Sequence, residues 1–283
     1  PSRGALRIRA GTAYCMSGES RGRALVERVL EEVPPEADRV IHAIGLTSLG
    51  RYHHYEGRAR DAIRVLERAY EIVRQHDDPE TLTGIFSFLA GAYQHLTEHD
   101  GSDRWADELI SLGERLHHPH ATAVGYEYLA ENALMTGRFN DSLIHARRDR
   151  SIGEEHGMLD RIAWSSFIIS QDLHALGELA DAMQSVREAH AVASRLGEQR
   201  LLVWVASAIA EIEADRGEFE AARGHAHEGV TRSRELDQTA LAIWSLNAEG
   251  YVLLRAGDPE QALERFEEAL ERVDRTGVRI ARG

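Results

Sequence analysis

The sequence predicts an all-α protein, an α-solenoid superhelix of about seven antiparallel helix hairpins. Three observations carry that prediction. Glycine recurs on a 40-residue beat at Gly57, Gly137, Gly177, Gly217 and Gly257, with Thr97 in the one skipped slot. Five positions after each glycine stands a small residue: Ala62, Ser142, Ala182, Ala222 and Ala262. A second turn signal keeps the same beat at Asp77, Gly157, Gly197, Asp237 and Gly277. Self-similarity at a fixed period of about 20–50 residues marks stacked repeats, each contacting only its neighbours.

The units start near residues 4, 37, 79, 120, 160, 199 and 239, and together they form a single solenoid domain over residues 1–283. The first is degenerate: Gly11 and Gly18 precede RALVERVLEEV, which Pro34-Pro35 closes. The last shows the grammar most clearly. Its first helix carries Leu246, Val252, Leu253 and Leu254 and ends at Gly257. Asp258-Pro259-Glu260 then opens a second helix, with Asp as N-cap and Pro at the first helical position. That helix sets Ala262, Leu263, Phe266, Ala269, Leu270 and Val273 at i, i+3 and i+4 spacings, an apolar stripe. The third unit departs from this pattern. It reads LTEHDGSDRWADEL, which predicts an irregular loop around Gly101, with Ala106 replacing Ser102 as the small residue.

Composition narrows the function classes. No apolar run approaches membrane-spanning length, and PSRGALRIRAG has no secretory core. The chain lacks an initiator Met and is expected to be part of a longer protein. A lone Cys15 suits a reducing compartment and points to the cytoplasm. The net charge of −14 argues against direct nucleic-acid binding. Phosphate-loop, nucleophile-elbow and dinucleotide motifs are absent, so an enzyme is not expected. His117-His118-Pro119-His120 carries zinc-capable atoms without a Cys partner or helical HExxH spacing, and it reads as surface histidine rather than a metal site. No cofactor is implied.

The units GRARDAIRVLERAYEI, GRFNDSLIHARRDRSI, GELADAMQSVREAHAV and GEFEAARGHAHEGVTR repeat one pattern. A small residue in the first helix (Gly50, Ala90, Ala130, Ser170, Ala210, Gly250) precedes the turn, and Ala69, Ala189 and Ala269 follow late in the second. In this the chain resembles the tetratricopeptide repeat family, in a long-period form. Its segments look like the repeat arms of bacterial LuxR-type transcription regulators and ATPase-linked signalling proteins. The resemblance implies a right-handed superhelix whose first helices line a concave groove. Projected from the turn glycines, the implied groove residues include Arg51 and His54, then Glu127 and Glu131 with neighbouring Tyr128. Further along come Trp164, Phe167, Gln171 and His174, then Trp204 and Glu211, then Trp244, Asn247 and Tyr251.

Trp164, Trp204 and Trp244 hold one position in three successive repeats. Two readings stay open: a ladder of indoles on the groove wall, or packing between adjacent helices. Trp105, in a second helix, is expected to pack. The acidic and aromatic lining favours a cationic or amide-rich partner. The resulting expectation is a non-catalytic scaffold or sensor arm that binds a protein or peptide segment in the groove. The alternative is a small-molecule sensor using the same ladder. Homo-oligomerisation through the terminal hairpins is also open.

Overall fold

The computed structural model describes residues 6–8, 10–11, 21–76, 78–236 and 238–276. The residues described before 21 are helical, and α1 (Arg21–Glu32) follows. Six hairpins then run in order: α2 (Arg39–Tyr55) with α3 (Ala59–Val73), and α4 (Pro79–His95) with α5 (His99–Leu116). Next come α6 (Pro119–Met135) with α7 (Phe139–His156), and α8 (Leu159–Ala175) with α9 (Leu179–Leu196). The series ends in α10 (Gln199–Asp215) with α11 (Phe219–Leu236), and α12 (Thr239–Arg255) with α13 (Pro259–Thr276). No strand occurs among the described residues.

The glycine beat has a backbone cause. Gly57, Gly137, Gly177, Gly217 and Gly257 all take φ between 74° and 84°, the left-handed region that reverses the chain between the helices of a hairpin. A Cβ built on Gly137, Gly177, Gly217 or Gly257 would meet nothing within 4 Å, so conformation and not space selects glycine there. The second beat has the same cause: Gly157 and Gly197 are left-handed C-caps of α7 and α9. Asp77, Asp237, Gly277, Gly18 and Cys15 lie outside the described residues.

The third unit corrects one expectation. No irregular loop surrounds Gly101. Thr97 itself adopts φ 58° and makes the turn in register, and α5 starts at His99 with Gly101 inside it. Ser102, not Ala106, fills the small-residue slot, fully buried like its counterparts, and Ala106 is buried one turn further on. Glycine at 101 answers a different demand. A Cβ there would fall 2.5 Å from the Tyr93 ring of α4.

Each helix packs on its sequence neighbours, and each first helix also touches the next first helix along the array. The small residues set how closely the helices of a hairpin approach. Gly50 lies against Leu66, and Gly250 lies against Phe266, where a Cβ would come within 2.5 Å of the side chain. Trp105 packs into the core between Tyr70 and Phe86, as expected. In the last unit Ala262, Ala269 and Val273 are buried, whereas Leu263 and Leu270 are exposed. Their counterparts Leu143, Met183 and Val230 are covered by the first helix of the following unit. Among the described residues no helix is long and apolar enough to cross a membrane.

Candidate functional site

The first helices enclose a concave cavity of about 780 Å³. Ten of the fourteen expected groove residues line it: Arg51 and His54 from α2, Glu127, Tyr128 and Glu131 from α6, Trp164, Phe167 and Gln171 from α8, Trp204 from α10 and Trp244 from α12. They converge because helical residues three or four apart share a face, and each unit repeats that face 40 residues on.

The two readings of the tryptophans prove compatible. Trp204 and Trp244 have ring centroids 4.6 Å apart, and Phe167 lies 6.1 Å from Trp204 and 6.2 Å from Trp164. The rings therefore pack along the array, and Trp164 and Trp204 also rest on the core. All three indoles are nonetheless only half-buried, with their remaining surface turned to the cavity. The buried Nε1 of Trp244 and Nε2 of Gln171 make no hydrogen bond within the protein.

Four expected residues lie elsewhere. His174 and Tyr251 meet at Asp215, the last residue of α10: His174 Nε2 is 2.8 Å from Oδ2, and the tyrosine hydroxyl donates to Oδ1 at 2.6 Å. Arg255 Nε adds an ion pair at 3.0 Å. These partners hold the Asp215 carboxyl below its ordinary range despite burial. Glu211 stands one turn before Asp215, and burial followed by the Asp215 charge pushes it up to about 8. Asn247 is half-buried on α12 away from the cavity lining.

The floor of the cavity is less acidic than its residue types suggest. Glu127 is buried in an ion pair with Arg161. Burial, then the charge of Glu127, pushes Glu131 up to about 8, so it is mostly neutral at pH 7. Gln94 donates to Glu131 at 3.1 Å and to Asn132 at 3.0 Å. Desolvation thus thins the acidic lining: of the three carboxyl groups that border the cavity, Glu127 is spent on Arg161, Glu131 keeps its proton, and the exposed Glu80 lies 3.2 Å from His118.

Toward units two and three the lining changes. His54 and His95 stack 4.2 Å apart at an interplanar angle of 10°. Burial holds both imidazoles neutral, His95 at about 4. Arg51 lies over the Phe88 ring at 4.7 Å and Arg200 over the Tyr55 ring at 5.0 Å. Arg200 also hydrogen-bonds the Tyr55 hydroxyl, a contact between residues 145 apart that spans the groove from α10 to α2. The right-handed superhelix has turned far enough for its second and sixth units to meet.

The sequence reading missed Tyr55, Phe88, His95, Arg161 and Arg200. Part of the signal was available. Counting Thr97 as the turn slot projects the third unit's groove positions onto Gly84, Ser87, Gly91 and Gln94, and all four line the cavity. The histidine loop does local work. His118 caps α6 by accepting from the Ala121 N–H and sits 3.2 Å from Glu80. No three His, Cys, Asp or Glu converge to hold a metal among the described residues.

Glu131 and Glu211 give the fold a pH dependence. A carboxyl raised in the folded state stabilises it fully below the ordinary value near 4.5, and that stabilisation is lost as pH rises through 8. Melting temperature is therefore expected to fall between pH 6 and 9. Glu131→Gln with Glu211→Gln should flatten that slope. An unchanged slope in the double variant would assign it to other groups.

A groove built from stacked helix hairpins defines a helical-repeat scaffold. Residues 201–275 match the tetratricopeptide repeat family, and the described array as a whole is a tetratricopeptide-type solenoid. A solved Rap protein complexed with competence and sporulation factor is similar in fold, with TM-score 0.66 and 12% identity over 97% of this chain and 98% of that one. NprR in complex with its cognate peptide NprX matches with TM-score 0.64 and 10% identity over 99% and 81%. A signal transduction ATPase with a tetratricopeptide repeat sensor, from Pyrococcus horikoshii, matches with TM-score 0.58 and 14% identity over 89% and 40%. No curated protein matches the chain by sequence.

Proposed function

We propose that this chain is a non-catalytic scaffold that holds a protein or peptide segment in its concave groove. In that reading it serves as the sensor or partner-docking arm of a bacterial signalling or transcription-regulatory protein in the cytoplasm. One observation carries the proposal: an aromatic wall of half-exposed Trp164, Trp204 and Trp244, with the buried Phe167 packed among them, borders a cavity of about 780 Å³. Indoles supply large contact area with an N–H donor, which suits them to anchor a partner's apolar side chain. The complex of one structural neighbour, NprR, with its cognate peptide supports the choice of ligand. The net charge of −14 speaks against a nucleic acid in the groove.

The cavity also falls in the range of about 300–1,000 Å³ used for small ligands, which keeps a small-molecule sensor as the second reading. Titration of intrinsic tryptophan fluorescence with a peptide library and with a metabolite panel separates the two. Saturable change with peptides, weakened about 10-fold or more in Trp204→Ala, is expected. That loss is the scale of a binding anchor worth about 1.4 kcal/mol or more. Saturation by a metabolite alone would establish the second reading. Peptide binding retained in full by Trp204→Ala would remove the ladder from the site.

A further inference from the structure

Two surfaces away from the groove are complementary to each other. The first lies on the outer side of the fourth and fifth units. Ile144 of α7 is 65% exposed, more than any other large apolar side chain among the described residues. Arg147 and Arg148 stand three and four positions on, so they share its face. Arg187 of α9 holds the place of Arg147 one unit along. All three guanidinium groups are exposed, and none makes an ion pair or hydrogen bond with another described residue. Arg150, by contrast, is tied to Glu154 and Glu188. The patch is local: in α5, α11 and α13 the place of Arg147 belongs to Asp107, His227 and Glu267. In a chain of net charge −14 it is a cationic island around an apolar knob.

The second surface is the outer face of α13. Glu260, Leu263, Glu267, Leu270 and Asp274 follow at alternating intervals of three and four, which aligns them in one stripe, and Glu271 widens it one turn past Glu267. Leu263 is 57% and Leu270 49% exposed. Leu143 and Met183 hold the place of Leu263 in units four and five, where they are 7% and 2% exposed beneath a following first helix. Glu260, Glu267 and Glu271 are exposed, and none of their carboxylates is ion-paired to a described residue.

We infer that these two faces bind each other between copies of this chain: the α13 stripe of one protomer seats on Ile144 of another, with Glu267 and Glu271 opposite Arg147 and Arg148. Leu263 and Leu270 are two turns apart, about 10 Å along the helix, a gap that takes one isoleucine side chain. Charge selects the partner surface. Two α13 faces meeting about a two-fold axis would set Glu260, Glu267 and Glu271 against their own copies, a like-charge contact that is disfavoured. The α7 patch offers the opposite sign around an apolar centre, and guanidinium pairs with carboxylate in parallel N–H···O bonds. The contact joins unlike surfaces, so association runs on as an open chain or closes into a ring. Neither face borders the groove cavity, so groove occupancy and association are separate events.

Sedimentation velocity of the full chain from micromolar to submillimolar concentration should show a mass that rises above the monomer's. Arg147→Glu with Arg148→Glu, and separately Glu267→Arg with Glu271→Arg, should each weaken association about 10-fold or more, the scale of a like-charge contact. Helical circular dichroism should be unchanged in both. The two double variants are then mixed. The reversed patch of one matches the reversed stripe of the other, and their unaltered faces match as well. The mixture should therefore regain the association that neither variant has alone. Ile144→Ser keeps every charge and should also weaken association, which preserves the test if a charge reversal perturbs the fold. A wild-type chain that stays monomeric over this range would overturn the inference, even if its α7 patch retains an acidic peptide or an oligonucleotide. A dimer lost only with the α13 substitutions would overturn it in favour of an end-to-end pair. Association that survives all the variants, or that mixing does not restore, would overturn it as well.

Discussion

Replacing Arg161 by methionine is expected to destabilise the protein by about 3–5 kcal/mol at pH 7.5, the usual cost of removing one partner from a buried ion pair. Arg161 is 5% exposed at the start of α8 and binds Glu127 of α6, bridging two successive first helices beneath the groove. It also stands among other carboxylates. Asp160 lies 3.2 Å from its Nε, and the fully buried Asp149 of α7, whose oxygens make no hydrogen bond, is held well above the ordinary carboxylate range by burial, an effect that the Arg161 charge opposes. Without the guanidinium, Glu127 becomes an uncompensated buried charge close to Glu131, whose ionisation it disfavours. The variant's deficit should therefore shrink toward pH 5, where a buried carboxyl left without its partner takes up a proton. Glu127→Met added to Arg161→Met should recover most of the loss. Urea unfolding of the two single variants and the double gives the coupling directly. A deficit under 1 kcal/mol, or one that does not depend on pH, would mean that water reaches the pair.

The fold was legible because its cause is local. A hairpin turn that needs positive φ selects glycine, and a close helix–helix approach selects a small residue, so both demands print through at 40-residue intervals. Thr97 shows the limit of that logic. A threonine adopts the same left-handed turn at φ 58°, held by its place between α4 and α5, so a reading keyed to glycine places an irregular loop where none exists. The tryptophan wall was legible for the same periodic reason. The charge of the floor was not. Glu127 and Glu131 look like two anions in sequence, and only the burial of one beside Arg161 and the desolvation of the other decide their state. Least legible was the Arg200–Tyr55 bridge. It depends on the rotation accumulated over four units, which no local pattern encodes.

Two glycine-to-alanine substitutions test the packing rule with opposite signs. Both glycines lie inside helices, where alanine is intrinsically favoured by about 1 kcal/mol. Gly224 of α11 is exposed and a Cβ there would meet nothing within 4 Å, so Gly224→Ala should stabilise by about 0.5–1 kcal/mol. Gly125 of α6 lies against α5, where a Cβ would fall 2.7 Å from the Ala106 carbonyl oxygen and 2.6 Å from Ile110 Cγ1. The Ile110 side chain can swing aside, but a carbonyl fixed in the α5 ladder cannot move alone, so the two helices must separate. Overpacking of that kind costs about 1–3 kcal/mol or more, and here it works on a contact that orients α6, the helix carrying Glu127, Tyr128 and Glu131. Gly125→Ala should thus lose about 2–3 kcal/mol net despite its helix propensity, and it should weaken peptide binding while Gly224→Ala leaves binding unchanged. Thermal unfolding compares the pair directly. If Gly125→Ala proves as stable as Gly224→Ala, the α5–α6 approach is looser than these distances require, and the groove floor does not depend on it.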